Sequence, residues 1–323
     1  MKDIAARLRL SQTTVSHVLT GKHEHYRISA ETVERVKRAA REMGYRSNAL
    51  ARAFRERRAY SVALAVEDLT NPFWTGVAIG AEREAEAQGY TLAVCNTARV
   101  EERERRVVGM LRECRVDGLI VSPITGADRA LLDLRREGRP FVQIDRAIEG
   151  VDYPCVRTDH FKGSILAVDH LAKRRHRAIA YVGGPTEIRT YAYRLDGFRK
   201  ALARHGLKPA AIRMIPPTAA DAEAAVADLL RGPGRPTAIY GANLFITIGI
   251  LRAVRRTSLR VPDDLEIVGF DDIATADLLA FPVSTVAQDV EAIGREAFRL
   301  LLKLMNGRPA AREVLIPPRL IAR

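Results

Sequence analysis

Ser11-Gln12-Thr13-Thr14-Val15-Ser16-His17-Val18-Leu19 is the stretch on which the reading of this chain turns. Val15, Val18 and Leu19 fall on one side of a helix, while Gln12, Thr13, Ser16 and His17 fall on the other. The segment therefore predicts a short helix with one apolar and one polar face. Ser11 precedes it with a hydroxyl suited to cap the first free backbone N–H groups. Upstream, Ile4, Ala5 and Leu8 share a helical face, and the chain turns at Arg9–Leu10. Downstream, Gly21 stops the helix and Ser29 caps a third one. There Val33, Val36, Ala40 and Met43 recur at helical spacing until Gly44 closes it. Three short helices should share one small core, with the polar face of the second kept clear of it.

After Gly44 the chain enters a linker. Asn48 can cap a short helix over Ala49–Phe54, followed by the charged run Arg55–Arg58. A helix that short is marginal alone and is expected to order only when something holds it. From Ser61 the pattern alternates. Apolar strands are expected at Val62–Val66, Tyr90–Val94, Gly118–Val121 and Phe141–Ile144, separated by helices near 74–88, 101–114 and 127–137. A second series follows at Ala178–Val182, Ile212–Ile215, Thr237–Tyr240 and Leu265–Gly269, with helices near 161–174, 191–205, 219–231 and 244–256. Two such runs predict an α/β body of two doubly wound lobes, each with a parallel sheet, preceded by a small all-α head. A last helix near 289–306 is expected to return to the first lobe, before a strand near Val314–Ile316. The expected boundaries are 1–46 for the head, 47–60 for the linker, 61–159 with 289–317 for the first lobe, and 160–288 with 318–323 for the second.

With 323 residues, 47% of them hydrophobic, the chain can hold both a head and a larger body, and nothing in it reads as disordered. No stretch approaches the ~20 apolar residues of a membrane span. Met1–Leu10 reads as an amphipathic helix rather than a signal peptide, so a cytoplasmic location is expected. Cys95, Cys114 and Cys155 lack metal-ligand spacing and read as small core residues in a reducing compartment. The net charge is +13, and residues 1–59 hold fourteen Lys/Arg against six Asp/Glu, a local excess of +8. Basic charge so concentrated suggests a polyanion partner, although a solvated basic surface would leave the same trace.

Ordered motifs then point to a family. Ile4–Ala6 with Ser11–Leu19, Val33 through Gly44–Tyr45, and Asn48–Phe54 resemble the helix-turn-helix head and hinge of the lactose/galactose/purine repressor family of bacterial transcriptional regulators. Along the body the resemblance continues through Asn71-Pro72-Phe73-Trp74, Val116–Ile120, Asp145-Arg146, Tyr181–Pro185, Arg194–Phe198, Val268–Asp272 and Ser284–Gln288. It covers essentially the whole chain, with the motifs in the family's order.

The resemblance implies that the second helix enters the major groove of double-stranded operator DNA. Gln12, Thr13 and His17 match the base-reading positions, and Gln, Thr and His can each bond base edges there. Ser11, Thr14, Ser16 and Asn48 suit phosphate contacts, which position the head without specifying sequence. Phe54 stands where the family usually has a minor-groove wedge, an apolar side chain that unstacks bases and kinks the duplex. Leu50 and Phe54, at helical spacing, could equally pack against a partner hinge. A near-palindromic operator and a homodimer are implied together. Since the sequence as given shows no C-terminal heptads, coiled-coil tetramerisation is not expected. Three departures stand out: Arg9 where Gly or Asn is usual at a turn, Ser47 where Pro is frequent, and a longer loop at Lys22–Arg27. That loop's His23-Glu24-His25 reads as solvent-exposed rather than as a metal site.

For the body, the resemblance implies a small effector, a sugar, held in the cleft outside the strands' carboxyl ends. Asn71, Phe73, Trp74, Asp145, Arg146, Arg194, Asn243, Asp271 and Gln288 are the candidate contacts. Aromatic rings would cover the sugar's C–H faces, and planar donors and carboxylates would take its hydroxyls. Trp74 could instead pack inside its lobe, Arg194 could form an interlobe ion pair, Asp159 could serve either role, and Asp272 reads as structural. Leu244 replaces an Asp frequent in the family, and Ile188 offers no polar contact where purine-responsive members have one, which favours sugar over purine. Ligand would set the lobe angle and so fold or melt the paired hinges. A transport-type sugar-binding protein explains the body but not residues 1–59. An enzyme on a doubly wound fold is disfavoured, because no phosphate loop, nucleophile elbow or metal cluster is evident. The reading requires no cofactor and no metal.

Overall fold

The computed structural model describes residues 1–19, 23–44, 58–113, 116–124, 128–148 and 153–323. The expectations for Gly21, Ser47, Asn48, Leu50, Phe54 and Cys114 lie outside the described residues. Two units are present, residues 1–59 and residues 60–323.

In the first unit, α1 (Lys2–Leu8), α2 (Gln12–Leu19) and α3 (Ala30–Glu42) form around Ile4, Ala5, Val15, Val18, Val33, Val36, Ala39 and Ala40. Arg9 ends α1 at φ 55°, in the left-handed region, where backbone N–H groups turn back onto Ala5 O and Ala6 O. That sharp turn delivers Ser11, whose Oγ accepts from Thr14 N at 3.0 Å and caps α2. Ser29 Oγ likewise accepts from Thr32 N at the start of α3. Met43 departs from its expected core place: it is 38% exposed, because α3 ends at Glu42 and Ala39 fills the inner position one turn earlier.

The second unit begins with β1 (Ser61–Val66), α4 (Pro72–Ala87), β2 (Thr91–Asn96), α5 (Glu101–Glu113), β3 (Gly118–Val121), α6 (Asp128–Arg136), β4 (Phe141–Ile144) and β5 (Cys155–Thr158). It continues with α7 (His160–Lys173), β6 (Ile179–Gly183), α8 (Arg189–Arg204), β7 (Ala211–Met214), α9 (Ala219–Arg231), β8 (Ala238–Gly241), α10 (Leu244–Arg255), β9 (Glu266–Phe270) and β10 (Ser284–Ala287). Last come α11 (Val290–Met305), β11 (Glu313–Ile316) and β12 (Arg319–Ile321).

The first sheet runs β11-β5-β4-β3-β1-β2, parallel throughout, and the second runs β12-β10-β9-β8-β6-β7. The second is parallel except at its edge, where β12 pairs antiparallel with β10. The two residues Pro317–Pro318 carry the chain from β11 in the first sheet to β12 in the second. Helix α11 packs along α4 so closely that a methyl group on Gly294 would lie 2.0 Å from Val77 O, and one on Gly80 would lie 2.1 Å from Glu291 O. The chain thus passes between the two sheets more than once. Strand order reverses between β1 and β3 in one sheet and between β6 and β8 in the other, and crevices open at such switch points.

Candidate functional site

On the head, Gln12 and Thr13 are exposed at the start of α2, while Thr14, Ser16 and His17 are half-buried. Ser11 and Thr14 bond each other through their hydroxyls at 2.8 Å. The imidazole of His17 lies flat against Tyr26, with ring centroids 3.6 Å apart and 19° between planes. Sequence reading missed Tyr26, and nothing in periodicity marks it. His25 meets the edge of Tyr26 at 4.9 Å, which is where one histidine of the 22–27 loop goes.

In the body, a cleft of about 330 Å³ is bordered by Asn71, Phe73, Trp74, Asp145, Arg146, Arg194, Asn243, Asp271 and Gln288 together. All but Arg194 arrive from the carboxyl end of a strand or the first turn of the helix that follows, and Arg194 comes from the second turn of α8. Asn71 caps α4 by accepting from Phe73 N, which sets Phe73 and Trp74 in the first turn. Trp74 is 1% exposed and belongs to the first lobe's core, yet it also borders the cleft, so packing and lining coincide. Its Nε1 is buried and donates to no protein atom.

The cleft's charges are engaged with one another. Arg146 donates to Glu67 at 2.8 Å, and Arg99 approaches Glu67 and Asp68 at 3.7 and 3.8 Å. Arg194 donates to Ala242 O and to His160 Nδ1, and its guanidinium stacks on Phe270 at 3.8 Å. His160 Nε2 stands 3.5 Å from Asp145 Oδ1, an electrostatic approach too long for a good hydrogen bond. Burial and the Arg194 charge push the His160 pKa down to about 4, so the ring is neutral near pH 7. Burial opposes the charge on Asp145, but His160, Arg146 and Arg194 outweigh it and hold the carboxyl below its usual range.

On the second-lobe side, Asp271 (φ 79°) accepts from Leu244 N at 3.1 Å and from Gln288 Nε2, while Gln288 Oε1 accepts from the Thr158 hydroxyl. Asn243 caps α10 and donates to Tyr191 OH at 2.7 Å. Burial lifts the Tyr191 pKa to about 12, so its phenol keeps the proton. Asp159 caps α7, and Asp272 accepts from Thr285 and Arg323. Glu67, Arg99, Glu187, Thr190 and Tyr191 also border the cleft and were not anticipated.

Comparison with known proteins fits both halves. Residues 1–48 match the description "Bacterial regulatory proteins, lacI family", and residues 168–323 match "Periplasmic binding protein-like domain". The repressor CytR of Escherichia coli K12 is 30% identical over 309 residues, covering 95% of this chain and 90% of its own. The chain belongs to the lacI family. PurR of Vibrio campbellii is also 30% identical, over 100% of this chain and 97% of its own length. The lac repressor dimer bound to operator and the anti-inducer ONPF superposes with a TM-score of 0.87 at 26% identity, over 99% of this chain and 97% of that one. As a lacI-family member the chain is a DNA-binding, ligand-binding transcriptional regulator whose relatives are named as repressors rather than enzymes. Among the described residues no helix is long and apolar enough to cross a membrane.

Proposed function

We propose that the chain is an operator-binding repressor, acting as a homodimer, whose DNA affinity is set by a neutral, sugar-type polyol held between the lobes. The observation that carries the ligand assignment is the engagement of the cleft's arginines. Arg146 and Arg99 face Glu67, and Arg194 is held by a carbonyl, an imidazole and an aromatic ring. Glu67, Asp145, Glu187 and Asp271 border the same space. An anionic ligand would meet cations that already face carboxylates, and four carboxylates against three arginines. Hydroxyls can donate to Asp271 and accept from the Tyr191 phenol, while Phe73, Trp74 and Ile188 cover C–H faces. Two relatives support a sugar: the ribose operon repressor of Escherichia coli K12, 30% identical over 312 residues, and the regulator CelR, solved as a complex with cellobiose, with a TM-score of 0.74 at 27% identity.

Two polar lines cross the seam between lobes: Thr158–Gln288–Asp271 and Asp145–His160–Arg194. A ligand that touches Asp145 and Arg146 on one side and Arg194, Asn243 and Asp271 on the other would favour one lobe angle, and differential affinity for that angle is the lever on DNA binding. The lac repressor, solved as a dimer on its operator, supports the homodimer. We assign no reaction to the cleft, because its buried His160 serves the wiring between lobes. A DNA target implies a cytoplasmic location.

Calorimetric titration of the full chain against neutral pentoses and hexoses, their phosphates and purine bases tests the ligand. A gel shift on an operator selected from random DNA, with and without the bound compound, tests the coupling. A neutral sugar should bind and change operator affinity by about tenfold. Tighter binding of a sugar phosphate or a purine would overturn the assignment.

A further inference from the structure

We propose that Tyr26 is a specificity-determining residue of the DNA-reading surface: it holds the His17 imidazole in one fixed orientation toward a base edge. The inference rests on the reading of α2 as the helix that meets operator DNA.

An imidazole at the surface end of a short helix ordinarily samples several rotamers. Here one face of His17 is covered by Tyr26, nearly parallel at 3.6 Å. The loop that presents Tyr26 is tied down: Arg27 N donates to Glu24 O, Ile28 N donates to His23 O, and Ile28 packs against the head's core. His25 meets the tyrosine edge-on, at 89°. A tyrosine present only for stability would be expected to bury its ring among the apolar residues of α1, α2 and α3. Tyr26 instead remains 51% exposed, and its stacking partner is a polar residue on the helix's outer side. The stack therefore fixes a surface group rather than the core.

Two consequences follow. A side chain ordered before binding loses less freedom when it binds, worth about two- to tenfold in affinity for one group. A ring of fixed orientation also points its N–H in one direction, so it distinguishes acceptors that a mobile ring would reach equally. Residues 23–28 thus act as a second tier behind the recognition helix.

The experiment uses the full chain and an operator selected with it from random DNA. Fluorescence anisotropy then measures affinity for that operator, for each single base-pair variant of it, and for unrelated DNA. Tyr26→Ala should weaken the selected operator by about tenfold and flatten discrimination at one base-pair position per half-site, leaving unrelated DNA unchanged. Tyr26→Phe should keep the wild-type profile, since the stack needs the ring and not the hydroxyl. His17→Ala combined with Tyr26→Ala should be no worse than His17→Ala alone. Retained discrimination in Tyr26→Ala, or additive losses in the double variant, would overturn the proposal. Equal weakening on all DNA with a lower melting temperature would overturn it too, by assigning Tyr26 to head folding. If the wild-type chain itself shows no sequence preference, the DNA reading of α2 fails and the proposal falls with it.

Discussion

Asp271 offers a substitution that separates the fold's needs from the ligand's. Its Oδ2 accepts from Leu244 N at 3.1 Å, its Oδ1 accepts from Gln288 Nε2 at 2.5 Å, and Gln288 in turn accepts from Thr158. Asp271→Asn replaces one of the two acceptor oxygens with an NH2. If the new amide keeps its oxygen on Leu244 N, its NH2 faces Gln288, whose own amide must turn over to present oxygen. The Gln288 NH2 then meets Thr158 Oγ1, which accepts as readily as it donates. The line is rewired with no buried group orphaned, and Asn tolerates the left-handed backbone at φ 79°. The cost to stability should be about 1 kcal/mol or less. Asp271→Ala leaves the Leu244 N–H and the Gln288 amide without an acceptor, at about 1–3 kcal/mol each, and adds about 1 kcal/mol of backbone strain. Urea unfolding of the two variants should therefore separate them by at least about 2 kcal/mol. For the ligand, both lose the charged acceptor, worth about 1.5–3 kcal/mol, so Asp271→Asn should bind the sugar roughly 10- to 100-fold more weakly at nearly native stability. If Asn destabilises as much as Ala, the rewiring is wrong; if it binds sugar as the wild type does, Asp271 is no ligand contact.

Three further outcomes are expected. Glu266 accepts from His170, Arg174 and His176 at 3.0, 2.6 and 2.7 Å, and although burial opposes its charge these donors hold its carboxyl well below the usual range. Its stabilisation is thus complete above the unfolded carboxylate pKa of about 4.3 and fades as pH falls below it, so Glu266→Gln should cost about 1–2 kcal/mol at pH 7 and flatten the acid limb of a stability–pH curve. An unchanged limb would count against it. Gly294→Ala places a methyl 2.0 Å from Val77 O and forces α11 away from α4. Overpacking of about 3 kcal/mol should lower the body's calorimetric melting point by roughly 6–12 °C, and an unaltered melting point would refute the close approach. Arg9→Gly relieves the left-handed strain at φ 55°, so amide exchange in α1 should slow by up to about fivefold, and faster exchange would be the contrary result.

What was legible in the sequence follows from what periodicity records. Apolar runs such as Val62–Val66 and Ile179–Val182 reveal strands because both faces of a parallel sheet are covered, and each run carries that burial locally. Cys155–Thr158, Ser284–Ala287 and Arg319–Ile321 escaped because they are short and carry polar residues, and their pairing partners lie far along the chain. The cleft's candidates could be named because α/β alternation places strand ends at a switch point and the family resemblance singles out residues near them.

The wiring among them is a different matter. His160 reads as the first residue of an ordinary helix, and only the meeting of β4, α7 and α8 sets it between Asp145 and Arg194. Glu67 directly follows β1, but its worth as the counter-charge of Arg146 depends on a strand two places away in the sheet. Tyr26 lies in a loop with no period at all, and its partner is fixed by a turn whose two closing bonds are backbone to backbone. A pattern along one element reports which side of that element is dry. Polar partners belong to pairs of elements, and their geometry enters only when the elements are packed. That is why the sequence could place Trp74 at the cleft yet left its packing open: in the folded lobe its indole is core on one side and wall on the other, and the alternatives were never exclusive.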